Sequence, residues 1–477
     1  MNPRRKNGVT PILAEPRHSP SSKDKLFLEI GIVFIGTSLA GLTNLLYHLV
    51  SARLLSPEDY GTLNALLSLI LFASTPVSPL GTTLTRFFTE YITTKDFDFL
   101  TLIFLKFLRR LLLGGLVLFL VFVIFAPTLG RFLNTRSIYL IVCGTIIALT
   151  LISPLFLSLI QSFQRFSLFS LIIFSSSLMK FLIGFFLMLS GLKVLGGLLG
   201  ILGSSIFTLL LSILFIPYFL KDLKVKTEKR DKLSKVDLSP IYKYFFPVAL
   251  SIVSFTILTN IDVILVKHFF SAQDAGYYSW AQMVGKILLF LPSALTIVTF
   301  PKSTQAYIHH AHDYKLLFKS LYVAGFLCGG ISAFCFLFSD FVLKILTSQY
   351  NPVSSKLVGL FSLAMTFYAL LWIVMNFLLA RHNLRFILPL VIFTVLETLA
   401  IYFYPTSLMG VLWIVFICSI LTFAMALLVA TQLRNKSNAG KKERDYGGKV
   451  LINKLQEQSG NGWGRTYDHS AYDRVFG

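Results

Sequence analysis

Charge is what this chain of 477 residues has least of: Asp, Glu, Lys and Arg together make up 14% of it. A soluble domain carries about a quarter, so an ordinary water-facing surface is excluded. Acidic residues are the scarcer half, 22 against 43 Lys and Arg. Cysteine is scarce too. Cys143, Cys328, Cys335 and Cys418 fall in apolar runs without Cys-x-x-Cys spacing, which argues against a disulfide framework or redox pair and leaves small core residues. No Gly-x-x-x-x-Gly-Lys-Ser/Thr, His-Glu-x-x-His or Gly-x-Ser-x-Gly occurs. Direct ATP use and the familiar hydrolase sites are therefore not expected, and no cofactor is implied. The one metal-like cluster, His309 to Asp313 (HHAHD), has no partner ligands nearby in sequence and reads as a solvated loop.

What the chain does have is apolar length. Hydrophobic residues make up 55% and the mean hydropathy is +0.73. They come in runs of about 20, the length that crosses a bilayer core. Twelve spans are expected, at 26–50, 61–85, 108–127, 137–160, 166–190, 194–219, 244–268, 276–300, 317–339, 356–380, 385–405 and 408–432. Residues 1–25 are polar and basic, and the apolar run after them has no small-residue cleavage site, so it reads as a retained first span.

Basic loop residues resist translocation and so report orientation. With the N-terminus inside, the cytoplasmic segments hold 33 of the 43 Lys and Arg, the external segments seven and the spans three. Both termini are thus expected in the cytoplasm of a cell with the chain in its plasma membrane. Scattered over loops, the +21 charge does not make the single basic face that a nucleic-acid binder needs; anionic lipid of the inner leaflet is the expected contact.

One turn comes twice. "LLSPEDYG" runs from Leu54 to Gly61 and "FFSAQDAG" from Phe269 to Gly276, 215 positions later and also outside. Each reads Ser-x-x-Asp-x-Gly, with Ser56 and Asp59, or Ser271 and Asp274, at capping-box spacing, and Pro57 suits a first helical position. Both following spans carry a mid-membrane proline, Pro76 and Pro292, which predicts a kink at similar depth. The chain thus divides into a basic tail (1–25), a six-helix lobe (26–220), a charged linker (221–240), a second six-helix lobe (241–432) and a polar tail (433–477). An even number of spans per repeat gives both lobes the same orientation, around an axis along the membrane normal. Two such lobes describe alternating access, with substrate between them.

At these residues the chain resembles a known group. "ARLLSPEDYGTLNALLSL", then "LTRFFTEY", and later "NIDVILVKHFFSAQDAGYYSWAQMV" are similar to the polysaccharide and lipid-linked oligosaccharide flippases, O-antigen flippase type, of the multidrug/oligosaccharidyl-lipid/polysaccharide exporter superfamily. The resemblance covers about residues 26–430. It implies an all-α, MATE-like polytopic membrane protein, a rocker-switch motion and a polyisoprenoid-diphosphate-linked glycan as cargo. A cation-coupled multidrug exporter of the same superfamily is the alternative, and a membrane glycan polymerase or ligase a more distant one. A glycan polymerase or glycosyltransferases are conceivable partners.

Charges inside the membrane are costly, about 2.5 to 3.5 kcal/mol each on insertion scales, and so are functional candidates. Asp262 and Lys286 both lie 12 residues from Asp274, which predicts that they meet across antiparallel helices; Asp262 is the candidate for a coupled ion. Asn44 and Asn260 lie deep in spans 1 and 7 and can hydrogen-bond a sugar or another helix. Arg86 and Glu90, one turn apart on span 2, can gate the inner mouth or anchor the helix. Lys180 in span 5 and Glu397 in span 11 occupy nearly corresponding places in the two lobes, which suggests a lumen-lining or cross-lobe role. Tyr277, Tyr278 and Trp280 read as an interfacial belt or as a sugar-stacking surface.

Overall fold

Long apolar runs with no water to satisfy the backbone must close their own hydrogen bonds, which leaves helices. The computed structural model describes residues 22–220, 239–289, 314–381 and 383–432, and among these there is no strand. Helices stand at all twelve expected places. Span 1 is Ser22–Leu54, span 2 Pro57–Ser74 with Ser78–Thr93, span 3 Phe97–Phe132, span 4 Ser137–Ser162, span 5 Phe166–Leu187 and span 6 Lys193–Leu220. Span 7 is Ser239–Leu258 with Ile261–Phe269, span 8 begins at Ala272–Lys286, span 9 is Tyr314–Leu337, span 10 Pro352–Ala380 and span 11 Ile387–Phe403. Span 12 is Leu408–Gln432. By length and composition alone, eight described helices qualify as crossings, or nine when the bent halves of span 7 count as one.

In span 2, where Pro76 predicts a kink, the helix gives way to a 3-10 turn at Thr75–Val77. Pro292, the loop 309–313 and most of the linker lie outside the described residues. Both repeated turns start a helix as expected. The amide of Asp59 donates to Ser56 Oγ at 3.2 Å, and that of Asp274 to Ser271 Oγ at 3.1 Å. The carboxylates take the serine hydroxyls instead of reaching back to an amide, at 2.9 and 2.8 Å.

Residues up to Ala249, with Lys267–Ser279 and Leu346–Ser348, form one compact unit; Leu250–Val266, Trp280–Ile345 and the residues from Gln349 on form a second. In the first, span 3 packs on span 4 and span 5 on spans 1 and 6. The small residues of span 6 permit this: a Cβ on Gly200 would stand 2.7 Å from Gly184 Cα of span 5. The two repeated turns also meet in this unit. A Cβ on Gly61 would stand 2.7 Å from the Gly276 nitrogen, and one on Gly276 2.1 Å from the Pro57 oxygen, so neither position admits a side chain. In the second unit span 10 is the core, 78% buried over its most apolar stretch, whereas span 3 of the first unit is 17% buried. Span 3 turns Leu112, Leu113, Leu116 and Ile124 outward, an apolar surface that suits lipid and not water. All four cysteines are buried and free.

Candidate functional site

A helix that breaks inside a membrane must find new partners for the backbone groups it releases. Span 7 breaks between Leu258 and Ile261, with a 42° bend. The repair comes from side chains. The Asn260 amide turns to the Ile257 oxygen at 3.0 Å, and the side-chain Nδ2 of the same residue donates to the Thr256 oxygen so released, at 2.9 Å. With its amide spent on the backbone, Asn260 presents Oδ1, which accepts from Lys286 Nζ at 2.7 Å.

The second half of span 7 begins at Ile261, so Asp262 stands in its first turn, fully buried, where a helix dipole favours negative charge. Gln282 Nε2 donates to both its oxygens, at 2.9 and 3.2 Å. The expected direct pair of Asp262 with Lys286 is therefore replaced by two others, Asp262 with Gln282 and Lys286 with Asn260. The reason is register. Asp274 already lies inside the second helix, which starts at Ala272, so counting from it puts the helices about one turn out of step. Gln282 and Lys286 are one turn apart on the same face.

Glu397 of span 11 is fully buried in the same unit. Its Oε2 accepts from the Tyr368 hydroxyl of span 10 at 2.6 Å, while Oε1 has no hydrogen-bond partner among the described residues. Glu397 is thus enclosed among spans of its own unit, not laid open as lumen lining. Sequence reading gave no sign of Tyr368. For Gln282 there was one: an amide four residues before an intramembrane lysine.

In the first unit Lys180 Nζ donates to Asn44 Oδ1 of span 1 and lies 4.4 Å from the centre of the Tyr47 ring, a cation–π contact. Tyr47 is fixed in turn: its hydroxyl donates to the Gly197 oxygen at 3.0 Å. No carboxylate among the described residues lies in ion-pair distance of Lys180 or Lys286. Two intramembrane ammonium groups are therefore each held by a neutral asparagine, with donors to spare. Asn44 and Asn260 are 216 positions apart, close to the 215 that separates the turns.

Arg86 and Glu90 are both exposed on the second half of span 2, and no ion pair joins them among the described residues. They do not form the expected i, i+4 pair. Tyr278 and Trp280 are buried, 0% and 1% exposed, so they are packing groups behind the second turn and neither a belt nor a sugar platform. Lys193 pairs with Asp59 at 3.3 Å, an exposed contact worth about 0 to 1 kcal/mol.

Residues 28–307 match the model of the family described as Polysaccharide biosynthesis protein. The fold is similar to an inward-facing multidrug resistance MATE family transporter of the MOP superfamily, with a TM-score of 0.63 at 14% identity over 86% of this chain and 99% of that one. It is similar as well to the lipid II flippase MurJ in an inward closed conformation, at 0.63 and 15% identity over 84% and 87%. A eukaryotic MATE transporter, AtDTX14, scores 0.61 at 13% identity over 88% and 100%. At such identities the likeness shows the fold, which is MATE-like. No curated protein sequence matches the chain.

Proposed function

This chain belongs to the polysaccharide biosynthesis protein family, and from that premise we propose that it flips a polyisoprenoid-diphosphate-linked oligosaccharide from the cytoplasmic to the external leaflet by alternating access. A multi-pass transporter of the MOP superfamily is the coarser statement that family and fold carry. The cargo is ours. The moving halves are the lobes 26–220 and 241–432, in a plasma membrane with both termini inside; glycan-assembling enzymes are its expected partners.

One observation carries the cargo assignment. Lys180 and Lys286 each lie within a span, and each is held by a neutral asparagine, with no carboxylate among the described residues in ion-pair distance. A cation in that setting is costly unless an anion visits it, and a diphosphate is such an anion. Arg86 and Glu90, exposed on span 2, serve at the inner mouth. Asp262 carries the coupled ion, and Asn44 and Asn260 set the lysines in place. The drug-exporter reading draws support from the buried carboxylates Asp262 and Glu397, which would suit a cationic cargo.

The test is reconstitution into liposomes with lipid-linked oligosaccharide inside and a probe of its appearance outside. Flipping by the wild type that is lost in an Arg86→Ala, Lys286→Ala double variant supports cargo and site together. Absence of flipping, with efflux of a cationic dye in its place, would give the case to the exporter.

A further inference from the structure

Spans 3 and 4 are joined by the short connection 133–136. The chain reverses there at Asn134, whose φ is +47°, a left-handed conformation that asparagine tolerates. The reversal lets the Thr135 amide reach the Gly130 oxygen at 2.9 Å. Gly130 permits it, since a Cβ there would stand 3.1 Å from the Thr135 oxygen and 3.3 Å from Ser137 Oγ. Beside this turn lies an open cavity of about 480 Å³, lined by Pro127 and Gly130 of span 3, by Asn134 and Ser137, and by two arginines, Arg131 and Arg136. No acidic residue lines it. The second repeated turn is close by: His268 Nδ1 stands 2.7 Å from the Phe132 oxygen.

Neither arginine has a hydrogen bond or ion pair among the described residues. Other cations near the repeated turns do: Lys193 pairs with Asp59, and Arg53 Nε donates to the Leu346 oxygen at 3.2 Å. An arginine at the end of a helix has an ordinary use, capping the last carbonyls. Here the Leu129, Gly130 and Arg131 oxygens of span 3 already accept from the amides of Leu133, Thr135 and Asn134. Arg136 stands at the opposite kind of end. It is the N-cap of span 4, and its side chain makes no capping bond. The start of a helix disfavours a cation and leaves its first amides in need of acceptors. An arginine in that position is misplaced unless an anion joins it.

We propose that this cavity binds the phosphate of an anionic lipid headgroup, with Arg131 and Arg136 as its charge partners and Asn134, Ser137 and the first turn of span 4 as further donors. A phosphate at a helix N-terminus meets amides that need an acceptor, and its two unesterified oxygens can be shared between two guanidinium groups. The charge of the lining selects among phospholipids, because nothing acidic is there to hold the ammonium of a zwitterionic headgroup. The flanks favour lipid over phosphate from solution. Ile124 and Phe125 near the end of span 3, and Ile138 in the first turn of span 4, are exposed, an apolar surface for acyl chains beside the cavity. None of the residues assigned to the cargo or the coupled ion takes part, so the site does not depend on what the protein carries.

The experiment places the full chain in nanodiscs of phosphatidylcholine, either alone, with phosphatidylglycerol, or with inorganic phosphate titrated in. Lipid retention by native mass spectrometry and Tm are the readouts. The wild type is expected to retain phosphatidylglycerol over phosphatidylcholine and to gain Tm with it. An Arg131→Gln, Arg136→Gln double variant is expected to bind phosphatidylglycerol about 30-fold more weakly. Lys193→Gln, which removes a cation near the same turns, is expected to bind as the wild type does. An equal loss in Lys193→Gln would mean that surface charge attracts the lipid without a site, and retention by the double variant at the wild-type level would put the lipid elsewhere; either result overturns the proposal. A gain in Tm with inorganic phosphate and none with phosphatidylglycerol overturns it as well, and assigns a free anion. If the double variant fails to accumulate, Arg131→Gln and Arg136→Gln alone should each weaken retention about fivefold, and no loss in either single variant contradicts the site.

Discussion

Spans 1 and 7 occupy the same place in the two repeats, yet one is continuous and the other broken. Span 1 runs from Ser22 to Leu54 without interruption, while span 7 bends by 42° just before Ile261. Each carries an asparagine that holds a lysine, but the lysines come from different helices: Lys180 reaches Asn44 from span 5, and Lys286 reaches Asn260 from span 8. An acceptor asparagine thus stands in both spans, and the cation that it holds comes from a different helix in each. The break adds something that the first repeat lacks, a helix N-terminus inside the membrane with Asp262 in its first turn. On our reading both repeats hold the anionic cargo, and the second alone couples it to an ion.

The largest effect that separates the repeats is expected at Asp262. Asp262→Asn should lower ion-driven flipping by about 100-fold, near 2.7 kcal/mol, and abolish dependence on the gradient. Tyr47→Phe, at the matching place in span 1, should leave that dependence intact. Retained ion dependence in Asp262→Asn would break the asymmetry. Next comes Asn260→Ala. It removes the repair of a broken helix as well as the seat of Lys286, so a loss of roughly 1 to 3 kcal/mol is expected. Asn44→Ala, in an unbroken helix, should cost less; equal losses in denaturation would mean that the break is not what Asn260 serves.

Smaller still are the single lysine changes. Lys180→Ala and Lys286→Ala should each weaken cargo binding about tenfold, some 1.4 kcal/mol, with little change in the ion dependence. A lysine whose loss alters coupling and not affinity would belong to the ion path instead. Least in magnitude is Gln282→Glu, which replaces an amide donor to Asp262 by a second carboxylate. It should shift the pH dependence of transport and leave cargo affinity near that of the wild type, and a changed cargo affinity would place Gln282 in the cargo site.

The helices were legible because lipid asks for about 20 apolar residues in a row and the backbone then has one way to close. The repeated turn was legible for a local reason, since a serine cap, an aspartate and a glycine act within a single turn. Partners were not legible. Whether Asp262 meets Lys286 or Gln282 depends on where the hairpin between spans 7 and 8 reverses, and an error of one turn changes the answer. Glu397 and Lys180 matched by counting, but the first bonds Tyr368 and the second Asn44, because packing between distant spans, not repeat position, selects contacts. Arg86 and Glu90 had helical spacing in their favour, and both are exposed without an ion pair between them, as is common for long charged side chains whose entropy outweighs a weak contact.

The most direct test is equilibrium binding of a polyisoprenoid-diphosphate oligosaccharide and of a cationic dye to the wild type and to the Lys180→Ala, Lys286→Ala double variant. If the two asparagine-held lysines receive the cargo anion, the double variant should bind the diphosphate about 100-fold more weakly, roughly 2.7 kcal/mol, and the dye no worse. Unchanged diphosphate affinity in a folded double variant would contradict the account.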